Sequence, residues 1–89
     1  MESRDLLEAL LELARELGLE VRIAGQGDLS PQTSGVCRLR GSIWVVLSTA
    51  DPIEHQIDAL AEGLRADCTK SLEGRFLPPA LRERIFAED

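Results

Sequence analysis

The sequence predicts one two-layer α+β domain: a three-stranded, largely antiparallel sheet, a helix at each end of the core, and a short C-terminal helix. Three observations predict it. Apolar residues recur at helical spacing over 3–17 and again from 53 to 64. Residues 19–24 alternate apolar and polar, and 36–48 form two strand-like runs about a glycine turn. At 89 residues, 44% hydrophobic and 29% charged, the chain suits a single globular unit with a thin core.

In the first helix Leu6, Leu7, Leu10, Leu11, Leu13, Ala14 and Leu17 make the inner stripe, with Glu8, Glu12 and Glu16 outside. Ser3 is placed to cap its start, Asp5 meets the positive end of the dipole, and Gly18 suits a left-handed stop. "LEVRIA" then reads as a strand with Leu19, Val21 and Ile23 on its buried face. "GQGDLSPQTSG", 25–35, reads as a surface loop, long enough to carry function.

"VCRLR-GS-IWVVLS", 36–48, predicts a hairpin turning at Gly41-Ser42 through a type II′ turn. That register sets Leu39 opposite Trp44 and Cys37 opposite Val46 on one side. Arg38 and Arg40 fall on the other, opposite Val45 and Ile43. The second strand is apolar on both faces, which predicts a central position with cover on each side.

Asp51 as N-cap and Pro52 at the first helical position open a helix expected from 52 to about 66. Ile53, Ile57, Leu60, Ala61 and Leu64 form its inner stripe. "TKSLEGRF" reads as a loop, and "LPPALRERIF" as a short closing helix over one sheet edge or the second sheet face.

Sixteen acidic residues against ten basic ones give a net charge of −6. That opposes binding to nucleic acid and to anionic membranes, both of which need excess lysine and arginine. Trp44, Phe76 and Phe86 are the whole aromatic complement, too few for a base-stacking platform. No apolar run approaches the roughly 20 residues of a membrane span, and the N-terminus lacks a signal-peptide pattern. A reduced, cytoplasmic protein is the expectation.

His55 is the sole histidine, with Asp58 and Glu62 one and two turns beyond it. At 100° per residue these three lie away from the apolar stripe, and the expectation is a solvated helix face. A weak metal or proton-transfer site is the sharper alternative for His55, Asp58 and Glu62. Arg22, Arg38 and Arg40 are candidates for a shared sheet face that holds an anion or an acidic partner. The plainer reading is a solvated strand face.

Cys37 reads as a small core residue, and Cys68, near a helix C-terminus, has its thiolate opposed by the dipole. With one imidazole, the two cysteines do not make a zinc site, and no cofactor is implied. Gly25-x-Gly27 lacks the lysine and helix of a phosphate loop.

The order of helix, strand, hairpin and helix resembles the core of zincin-type metallopeptidases, over roughly residues 35 to 66. Their His-Glu-x-x-His helix aligns with "IDALAEGL", placing Asp58 and Glu62 at the two histidines and Ala59 at the glutamate. The resemblance implies a degenerate scaffold without zinc or general base. "GVCRLRG" and "LPPALRE" resemble a family of small uncharacterised bacterial proteins with a G-x-C-R-L-R-G hairpin and an L-P-P-x-x-R-E end. That likeness implies a fold and no activity. The resulting expectation is a non-enzymatic interaction or regulatory module that self-associates or binds a protein partner.

Overall fold

The computed structural model describes residues 2–25 and 34–86, with Leu39 described by its backbone alone. The elements run α1 (Ser3–Leu17), β1 (Glu20–Ala24), β2 (Gly35–Leu39), β3 (Ser42–Ser48), α2 (Ile53–Glu73) and α3 (Pro79–Ile85). This is the expected α+β class. Most of the 25–35 loop lies outside the described residues.

Leu6, Leu10, Leu13 and Ala14 are the buried positions of α1, and Gly18 closes the helix at φ 79°. Ser3 does not cap it. The first helical residue is Ser3 itself, and its hydroxyl donates instead to Glu54 on α2.

The sheet order is β1-β3-β2, so β3 is central as expected. The sheet is mixed rather than largely antiparallel: β2 pairs antiparallel with β3, and β1 pairs parallel with it. The cause is two reversals. The chain turns back between β1 and β2 and again at the hairpin, so β1 and β3 share a direction. The connection of about ten residues between β1 and β2 is long enough to leave room for β3 between them.

The hairpin turns one residue earlier than the glycine alone suggested. Arg40 and Gly41 both have positive φ, 52° and 82°, which is a type I′ turn, whose twist matches that of the strands. Leu39 is therefore opposite Ser42, Cys37 opposite Trp44 and Arg38 opposite Ile43. The pairing moves by two places, so partners change while the residues sharing each face do not.

Both long helices lie on one face of the sheet, where α2 packs on β3 and β2 and α1 packs on β1 and α2. Val45 and Leu47 of β3 meet Leu10, Ile57, Leu60 and Leu64 there, all essentially without solvent exposure. Truncating one of these leucines to alanine costs about 2–5 kcal/mol. Gly63 lets α2 approach β3 closely, since a Cβ there would collide with Val45 Cγ2.

α2 continues to Glu73, past the expected end near 66, with one non-helical residue at Cys68 (φ −122°). Residues 65–73 hold neither glycine nor proline, and burial of Cys68 and Leu72 draws this last stretch onto the core. α3 packs on α2 and α1 and does not cover the second sheet face.

Candidate functional site

Two surfaces stand out: a polar groove along α2, and the sheet face opposite the helices.

The groove begins at Asp51. The helix starts after Pro52 with no side-chain cap, so the Asp51 carboxylate is free for other work. It accepts the Ser34 backbone N–H at 2.9 Å on Oδ2 and faces His55 Nδ1 at 3.1 Å with Oδ1. The Ser34 N–H, aided by the His55 ring and the Ser34 hydroxyl, holds the Asp51 carboxyl below its ordinary range, against burial that pushes it up. Ser34 Oγ accepts the Ser48 N–H at 2.9 Å, and Gln56 Nε2 donates to the Asp51 carbonyl. The network ties the start of β2, the end of β3 and the start of α2 together.

His55, Asp58 and Glu62 are solvent-exposed, as the helical spacing predicts, but they also line an open groove of about 630 Å³ with Ser34, Gly35, Arg65 and Arg84. Arg84, on α3, donates to Asp58 Oδ1 and Glu54 Oε1, both at 2.9 Å. That guanidinium supplies the positive charge that a cation at Asp58 would bring, so the groove does not favour one there. Among the described residues no three His, Cys, Asp or Glu side chains converge as a metal site. Ala59, at the aligned glutamate position, is buried.

Serine, histidine and aspartate do meet here, a contact the sequence reading missed because Ser34 sits on the loop and Asp51 read as a cap. The only signal was the four-residue spacing of Asp51 and His55 on one helical turn. Their order, however, is Ser34–Asp51–His55. Nucleophile activation needs the hydroxyl on the far imidazole nitrogen, whereas Ser34 Oγ is engaged with Ser48 and Asp51. The arrangement is a structural clasp.

The second surface is the face of the sheet away from the helices. Register puts Glu20 and Arg22 of β1, Trp44 and Val46 of β3, and Cys37 of β2 on it. No described helix packs there. Cys37 is exposed, not the core residue expected, because its partner across the sheet is Trp44 on this uncovered side. Trp44 and Val46 are half-buried. The Arg22 guanidinium lies 4.5 Å from the Trp44 ring centroid, a cation–π stack, and 3.6 Å from Glu20.

The three candidate arginines do not gather. Arg22 is on the open face, Arg38 pairs with Ile43 on the opposite face, and Arg40 sits in the turn. Cys68 is buried within α2, and that burial, with Asp67 beside it, pushes its thiol up, away from the thiolate. No protein-family model, curated protein or solved structure matches the chain.

Proposed function

We propose that this chain is a non-enzymatic bacterial interaction or regulatory module that docks a partner protein on the uncovered face of its sheet. The observation that carries the reading is β3. Its Val45 and Leu47 are buried under the helices, while Trp44 and Val46 on the reverse side have no covering element among the described residues. Tryptophan and arginine are the residue types that concentrate binding energy at interfaces, and here one is stacked on the other. The partner this surface fits presents an apolar patch for Trp44 and Val46 with a carboxylate beside it for Arg22.

Catalysis has no comparable support. Asp51 holds the Nδ1 side of His55, but Ser34 Oγ is engaged with Ser48 and Asp51 rather than with the imidazole, and the groove carboxylate Asp58 is ion-paired with Arg84.

A photo-crosslinking amino acid at Val46, expressed in the source cells, tests the proposal. The expected result is one discrete adduct, lost on Arg22→Glu and not formed from the same probe at Glu8 on the outer face of α1. No adduct at position 46, or the same adducts from both positions, contradicts it.

A further inference from the structure

We infer that the outer edge of β1 pairs with the same edge of a second copy across a two-fold axis, joining two sheets into one. This edge borders the open face and shares Glu20 and Arg22 with it, but the contact is a different one and the inference does not rest on the proposed function.

Backbone geometry comes first. Among the described residues β1 is an edge strand whose one sheet neighbour is β3. In a parallel ladder alternate residues turn both N–H and C=O toward the neighbour. The Ala24 carbonyl accepts the Thr49 N–H at 3.1 Å, so Glu20, Arg22 and Ala24 are the residues turned to β3. Val21 and Ile23 turn theirs outward from the sheet. β1 holds no proline, and its register with β3 is unbroken by a bulge, so two common guards of an edge are missing.

Side chains supply the second argument. Ile23 is 63% exposed although aliphatic. It forms one end of a groove of about 340 Å³ between α1 and β1, lined further by the apolar Leu11, Leu19 and Val21 and by the charged Arg15 and Glu20. A projecting apolar side chain and a groove for it on one surface is the self-complementarity that an isologous contact needs.

Charge then chooses the register. Side chains opposite one another must share a face, so only registers two places apart are open. With Val21 opposite Val21 of the second copy, Glu20 of each copy meets Arg22 of the other, giving two opposite-charge pairs. The same register sets Ile23 against Leu19 of the second copy, at its groove. A shift of two places puts Arg22 against Arg22. Pairing ends at Leu19, whose N–H is already given to Ala14. The far edge, β2, has Arg38 and Arg40 near the turn, like charges that oppose the same kind of contact.

Sedimentation equilibrium of the full chain, with circular dichroism to verify folding, tests the inference. The wild type is expected to be a dimer. Glu20→Arg alone and Arg22→Glu alone each weaken it about tenfold by setting like charges opposite one another, twice per dimer. The double variant restores it, Ile23→Lys gives a monomer, and Trp44→Ala leaves the dimer intact. A monomeric wild type, a double variant no tighter than the singles, or dissociation by Trp44→Ala overturns the proposal.

Discussion

Asp51 shows how much one side chain decides here. Its carboxylate, almost wholly buried, is shared between the Ser34 N–H and the His55 ring. Because its folded pKa lies below the ordinary value, the stability it contributes is fully present above about pH 4. That stability is lost as pH falls through the lower folded value. The urea midpoint of the wild type is therefore expected to drop more steeply below pH 4 than that of Asp51→Asn. Parallel acid limbs for the two proteins would contradict the clasp. Arg40 carries a different burden: a non-glycine residue at φ 52°, strained by about 1 kcal/mol. Arg40→Asn, better suited to a type I′ turn before Gly41, is expected to raise stability by about 0.5–1 kcal/mol in urea denaturation.

At the scale of elements, α2 and β3 hold the fold together, and their contact is set by Gly63. Gly63→Ala gains up to about 1 kcal/mol of helix propensity but drives a methyl into Val45, an overpacking cost of about 1–3 kcal/mol. The expected net is a loss of about 1–2 kcal/mol in thermal or urea unfolding, partly recovered by combining it with Val45→Ala. No loss in Gly63→Ala would mean that α2 does not sit this close to β3.

The periodicity of residues 3–17 and 53–64 made both long helices legible, because a helix records its buried face directly in sequence. The central place of β3 was legible too, from its unbroken apolar run. Pairing was not. A parallel β1 depends on what lies between strands that are distant in sequence, and no local pattern encodes it. The turn was misplaced because Gly41 fits either type, and arginine gives no sign of accepting positive φ. For the candidate site, the exposure of His55, Asp58 and Glu62 followed from helical angles, whereas the groove around them depends on α3 and Arg84, far along the chain.

As a whole molecule, this is a one-sided sandwich. Three helices gather on one side of the described residues, and a strand built to be buried on both faces is buried on one. None of these helices is long and apolar enough to cross a membrane. The proposed cover for Trp44, Val46 and Arg22 is a protein surface, which suits their apolar and cationic groups. Burial of a tryptophan and a valine at a protein interface contributes several kcal/mol at most, roughly 1.5–3 kcal/mol per large apolar side chain. Val46→Glu is thus expected to weaken partner binding at least about tenfold without unfolding the domain.

Trp44 is the only tryptophan, so a protein carrying ¹⁵N-labelled tryptophan gives one indole resonance, from the middle of the open face. In an extract of the source cells that signal is expected to shift or broaden, and to return when excess unlabelled wild-type protein is added but not when Val46→Glu is added instead. A resonance that stays as it is in pure buffer, or that is restored equally well by both competitors, would contradict the claim that this face is where the protein meets its partner.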